Sequence, residues 1–139
     1  MGLDFGITIK ARTREGARYL ADNFANLDRD YDDPTKYEFT YWRNNYDVRS
    51  KVLNALSYKK YEGNGGSFEL NSIEDLVNVM EVFKYLLIEK NWNDVNHEWL
   101  YSVRAIAETV FNFGRLIEDI ENEEEVEIFD LRIELYDSY

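Results

Sequence analysis

Between Glu118 and Asp137, ten carboxylates accompany a single guanidinium, that of Arg132. Seven of them, Glu118, Asp119, Glu121, Glu123, Glu124, Glu125 and Glu127, fall within one ten-residue stretch. Such a density of anions, with no lysine between them, is suited to pairing with cations on another surface. Duplex DNA carries about one negative charge per 1.7 Å of axis. Carboxylates on a helix rising ~1.5 Å per residue, running on into an extended strand, reach a comparable density. The stretch therefore has two readings, a solvated face that keeps the chain in solution and a contact surface for a basic protein.

Other residues of chemical interest carry less. Asp28, Asp30 and Asp32 reproduce positions 1, 3 and 5 of an EF-hand loop, but Asp33 stands where that loop needs glycine and Phe39 where it needs a bidentate glutamate. An ordinary solvated loop is the better reading, and no metal is expected. Gly63-Asn64-Gly65-Gly66 is followed by no Lys-Ser/Thr pair and opens no helix, so it reads as a turn rather than a phosphate cradle. His97 is the only histidine, within Asn96-His97-Glu98-Trp99, and no base-orienting partner is evident in the sequence. Tyr37, Tyr41, Trp42, Tyr46, Tyr58 and Tyr61 alternate with Lys36, Arg43, Arg49, Lys51, Lys59 and Lys60, a composition that can stack bases and hold phosphates. The net charge of −12 opposes polyanion binding, so core aromatics beside surface cations are expected instead.

These groups must be held by elements that the hydropathy pattern outlines. Leu3, Phe5, Ile7, Ile9 and Ala11 alternate with polar residues and glycine as in a strand with one buried face. Thr13 caps a helix with Ala17, Leu20, Phe24 and Leu27 on one stripe, ended by the polar run Asp28 to Pro34. A second strand carries Tyr37, Phe39 and Tyr41, a short helix carries Val48, Val52 and Leu56, and Phe68-Glu69-Leu70 forms a short third strand. Ser72 and Asp75 form a capping-box-like start to a helix with Ile73, Leu76, Val77, Met80, Phe83 and Leu87 inward, ending near Asn91. The last helix spans about Val95 to Ile120, with Leu100, Val103, Ile106, Val110, Phe113, Ile117 and Ile120 on one face. Phe129, Leu131, Ile133 and Leu135 make a closing strand, and the opposite parity of Val126 and Ile128 predicts a turn or bulge near Phe129.

The order strand, helix, strand, helix, strand, two helices, strand predicts a single domain over residues 1–139. Its class is α+β: a small, mainly antiparallel sheet of about four strands with three to four helices on one face. A hydrophobic content of 45% in 139 residues supplies a core of that size. The charge is split: residues 1–70 hold 11 acidic and 11 basic side chains, residues 71–139 hold 17 acidic and 5 basic ones. Seen against the helix that precedes it, the acidic stretch is costly. Anions at a helix C-terminus oppose the macrodipole by about 0.3–1 kcal/mol each. With no cysteine, disulfides and thiolate chemistry are excluded. No apolar run approaches the ~18 residues of a membrane span. A cytoplasmic protein is expected.

Two segments resemble a known group. Met1-Gly2-Leu3-Asp4, and Tyr41-Trp42-Arg43-Asn44 followed by a short amphipathic helix, are similar to small, uncharacterised phage and prophage proteins that begin MGLD and carry a mid-chain YWRK-like segment. Asn44 stands where that group has lysine. The resemblance implies a phage origin, hence the cytoplasm of a host cell, and no particular activity. Small acidic phage proteins include inhibitors that imitate DNA toward host defence nucleases. By that analogy the expected function is a phage accessory protein, non-enzymatic and without cofactor, of the anti-CRISPR or anti-restriction type. It would bind and inhibit a basic, nucleic-acid-handling host protein through the seven carboxylates from Glu118 to Glu127. No direct nucleic-acid or membrane contact is expected, and a homodimer is compatible with this reading. The alternatives are a small ligand-binding or hydrolytic domain using His97 and the Tyr/Trp cluster, and a structural or self-assembling phage component.

Overall fold

The alternation that opens the chain becomes the central strand of a sheet. Strand β1, Asp4–Ala11, is flanked by β3, Lys36–Arg43, and by the last strand β5, Leu131–Ser138, both antiparallel to it. Outside these lie β2, Asp28–Arg29, and β4, Ser67–Glu69, giving the five-stranded antiparallel order β2-β3-β1-β5-β4. The structure is a computed structural model that describes residues 4–43, 46–56, 67–89, 97–122 and 126–138, excepting the side chains of 4, 42–43, 46–47, 67, 89, 97–102 and 138. Among the described residues four helices accompany the sheet: α1, Arg14–Asn23; α2, Tyr46–Ala55; α3, Ile73–Glu89; and α4, His97–Asn122. The class is α+β, as expected, with one strand more than the sequence suggests.

Alternation decides which face is dry. Phe5, Ile7 and Ile9 of β1 and Leu131, Ile133 and Leu135 of β5 are buried on the helix side, joined there by Leu20, Leu76, Phe83, Leu116 and Ile120. An unbroken chain of rings, Tyr19, Phe24, Phe39, Phe113 and Phe83, links α1, β3, α4 and α3 with centroid separations of 5.8, 5.9, 4.7 and 6.3 Å. The opposite face carries Lys10, Arg132, Glu134, Glu38 and Tyr136 beside Thr8 and Gly6, a polar surface with no helix across it among the described residues.

Local sequence chemistry sets several boundaries. Thr13 has extended dihedrals, and its hydroxyl accepts from the Gly16 amide at 3.0 Å, so α1 begins where the cap dictates. The Ser72 hydroxyl likewise accepts from the Asp75 amide at 3.1 Å at the start of α3. The parity change before the closing strand is absorbed by a 3₁₀ turn, Ile128–Asp130, which leaves Phe129 outside β5 and exposed.

Two features depart from the simple pattern. The polar run after α1 contributes β2, because Asp28 and Arg29 pair with Glu38 and Tyr37. The β1–β3 register also slips between Ile7 and Thr8, so that Phe39 is an extra residue between the Ile7/Thr40 and Thr8/Glu38 pairs. Phe39 and Thr40 are therefore both buried, and Tyr41, expected inward with Tyr37 and Phe39, is 45% exposed.

Candidate functional site

The acidic stretch straddles the end of α4 and the 3₁₀ turn. Helix α4 has no basic residue in its last turn, and the described acids there are not equivalent. Glu118 and Glu121 are exposed, as is Glu127 just before the 3₁₀ turn. Asp119 is half-buried and accepts a hydrogen bond from the buried Tyr19 hydroxyl at 2.6 Å, which ties α4 to α1. Glu123, Glu124 and Glu125 lie outside the described residues.

Asp130, close in sequence, is a structural acid. It is buried, and its carboxylate accepts from the Thr13 hydroxyl and from the Glu127 amide, each at 2.9 Å. Its carbonyl accepts from the Arg12 amide at 2.8 Å. Gly16 packs against that carbonyl so closely that a Cβ there would sit 2.3 Å from the oxygen. Asp130 thus fastens the start of α1 to the approach to β5 and is not available to a partner.

Beside the exposed acids the surface is apolar. Ile73 from the start of α3, Ile120 from α4, and Ile128 with Phe129 from the 3₁₀ turn line a shallow cavity of about 320 Å³, rimmed by Glu121 and Glu127. Phe129 is 61% exposed, an unusual position for a phenylalanine that burial would stabilise by roughly 1.5–3 kcal/mol. An aromatic anchor inside a charged rim is the usual anatomy of a protein contact. The site sequence reasoning singled out is therefore more mixed than a run of carboxylates, and Phe129 is the residue it missed. The parity break near Phe129 was the available signal, since a residue forced out of strand alternation also leaves the core.

The remaining sequence candidates are placed as follows. In the aspartate-rich loop, Asp30 accepts from the Asp32 and Asp33 amides at 2.8 and 3.1 Å, and Asp33 accepts from the Thr35 hydroxyl and amide at 2.6 and 3.0 Å. These are local turn bonds. The Thr35 hydroxyl first, and the Lys10 ammonium 2.9 Å away second, hold the Asp33 carboxyl well below the usual carboxylate range. No group of acids or histidines arranged for a metal occurs among the described residues. Tyr37 is buried, receives a hydrogen bond from Arg29 at 2.8 Å, and has that guanidinium 5.2 Å from its ring centroid. His97 opens α4, but its side chain, and the sites at Tyr58, Tyr61 and Gly63 to Gly66, lie outside the described residues. No described helix is long and apolar enough to cross a membrane.

Comparison with protein families, with curated proteins and with solved structures returned no match for this chain.

Proposed function

We propose that the chain is a non-enzymatic binding protein that docks on a basic, nucleic-acid-handling protein and blocks it, as a phage-encoded inhibitor of host defence would. The observation that carries the proposal is Phe129, 61% exposed beside the carboxylates of Glu121 and Glu127 at a helix end that has no basic residue in its last turn. Helix electrostatics disfavour those anions, so they have no folding advantage to account for them. A basic partner would remove that cost on binding and would cover the phenylalanine. Acidic groups would steer the encounter and imitate a phosphate track, while Phe129 would hold the complex once formed.

The test is capture of partners from host lysate on immobilised protein at low and at high salt, with duplex DNA as competitor. A parallel sample carries E118K, E121K, E124K and E127K. The expected result is a basic nucleic-acid-binding protein that duplex DNA displaces, salt weakens and the charge-reversed variant fails to retain. A captured set that is the same for both samples, or that neither DNA nor salt releases, overturns the proposal.

A further inference from the structure

Helix α4 turns a ridge outward whose charges balance, in a half of the chain where charge does not. Residues 71–139 hold 17 acidic and 5 basic side chains, yet the ridge carries Arg104, Glu108, Arg115 and Glu118, two of each sign. Phe111 stands between them and is 64% exposed. Counted from Phe111, the four charges lie at −7, −3, +4 and +7, steps that return a side chain to one face of an α-helix.

The contacts within the chain do not account for this ridge. Arg104 and Glu108 pair with each other at 3.0 Å, but both are largely exposed, and a pair of that kind is worth little. Glu118 is exposed as well. Arg115 donates to Asn23 Oδ1 at 3.2 Å, and its guanidinium lies 5.2 Å from the Phe24 ring centroid and 5.8 Å from that of Phe111. Gly114, one turn from Phe111, is the residue the fold least explains. Glycine inside a helix is less favourable than alanine, and a Cβ at this position would meet nothing within 4 Å among the described residues.

The pattern is antisymmetric about Phe111, so that reversing the chain direction exchanges plus for minus. Two copies of α4 laid antiparallel on a two-fold axis through Phe111 bring unlike charges together. Arg104 of one protomer stands level with Glu118 of the other, and Glu108 stands within one residue, ~1.5 Å, of the level of Arg115. Parallel pairing would set each charge against its own copy. In the antiparallel arrangement the two Phe111 rings meet at the axis, and Gly114 lets the backbones close on them. We infer that this ridge is a contact between two copies of the chain, an antiparallel α4–α4 dimer. It runs ~21 Å, fourteen residues at ~1.5 Å each, which places it among small interfaces and makes the dimer a reversible one. Each copy carries −12 overall, and a balanced ridge adds nothing to that repulsion. The inference does not rest on the proposed function, since Glu127 and Phe129 lie beyond the end of α4.

The test is sedimentation velocity of the whole chain from ~10 µM to ~1 mM, a span that covers weak association. The samples are the parent, R104E, E118R, the exchanged variant R104E/E118R, and an equimolar mixture of the two single variants. The parent should dimerise. Each single variant sets like charges together twice per dimer and should associate about tenfold more weakly, although the two move the net charge in opposite directions. The exchanged variant restores both unlike pairs and should recover dimerisation. The mixture should form a heterodimer, because R104E carries a carboxylate at both ends of the ridge and E118R a guanidinium at both. G114L, whose side chain has open space in the monomer, should keep the melting temperature and lose the dimer. A parent that stays monomeric, an exchanged variant no better than the single ones, or association that follows net charge alone overturns the inference.

Discussion

The Tyr136 hydroxyl donates to the Glu38 carboxylate at 2.8 Å, and it reaches it over Gly6 on the strand between them. A Cβ on Gly6 would lie 2.7 Å from the Thr40 carbonyl oxygen and 2.8 Å from both Glu38 Oε1 and the Tyr136 hydroxyl. The carbonyl belongs to the paired backbone and cannot swing aside, so G6A must spread β1 from β3 or break the Tyr136 bond. Overpacking of this kind costs about 1–3 kcal/mol. The urea midpoint of G6A should fall accordingly, and an unchanged midpoint would show that β1 and β3 can part to admit a methyl group without loss.

Glu38 also makes stability depend on pH. Burial raises its carboxyl pKa above the ordinary 4.5, and the Tyr136 hydrogen bond opposes that shift in part. A carboxyl whose folded pKa is raised binds its proton more tightly in the folded than in the unfolded chain. Its contribution is therefore fully present below the unfolded value and is lost as pH rises through the folded one. E38Q keeps an acceptor for Tyr136 and removes the titration. Melting temperatures from pH 4 to 8 should fall more steeply with pH for the parent chain than for E38Q, and more steeply still for Y136F. Parallel curves for all three would show that Glu38 is not the group responsible.

Arg49 on α2 donates to Asp137 on β5 at 2.6 Å, with the Asp137 side chain fully buried and its Oδ1 without a hydrogen-bond partner among the described residues. Removing one member of such a pair strands a buried charge, at about 3–5 kcal/mol. R49A should therefore cost far more than the loss of one surface contact, whereas the apolar double variant R49M/D137L should recover most of the loss. Denaturation of R49M, of D137L and of the double variant gives the coupling directly. Additive losses would mean the pair does not act as a unit.

The elements that were legible in the sequence are those whose signals are local. Thr13 and Ser72 announce their helices because a cap acts within three residues, and the alternations around Ile7 and Ile133 announce their strands because pleat parity is intrinsic to the chain. What escaped depends on distant partners. Asp28 and Arg29 are a strand only because Glu38 and Tyr37 pair with them, and Tyr41 turns outward only because the β1–β3 register slips at Phe39. Val79 and Leu86 are buried although the apolar stripe read for α3 omitted them, since α3 packs against both α2 and α4. At the candidate site, Glu118, Glu121 and Glu127 are exposed as a run of acids should be, but Asp119 is held by Tyr19 and Asp130 by Thr13, each about a hundred residues away. Thr109 and Asn112 interrupt the apolar stripe of α4 between Ile106 and Leu116, and a buried polar interruption is more informative than another leucine.

The acidic helix end offers a test in which folding and binding carry opposite signs. Glu118 and Glu121 sit against the negative end of the α4 macrodipole, exposed and without a basic neighbour in that turn. Replacing either with lysine should stabilise the isolated chain by about 0.3–1 kcal/mol. If the same carboxylates meet a basic partner, E118K and E121K should bind it more weakly, chiefly through slower association, and the defect should shrink as salt screens the charges. F129S separates the two contributions. Phe129 is 61% exposed, so its loss should leave the melting temperature nearly unchanged, yet it should speed dissociation at every salt concentration, since the apolar anchor is not screened. Variants that gain stability and keep their association rate would identify the acids as a solvated face and nothing more. A gain in stability paired with slower association at low salt would identify a surface whose charges serve an encounter with another protein at a cost to the fold.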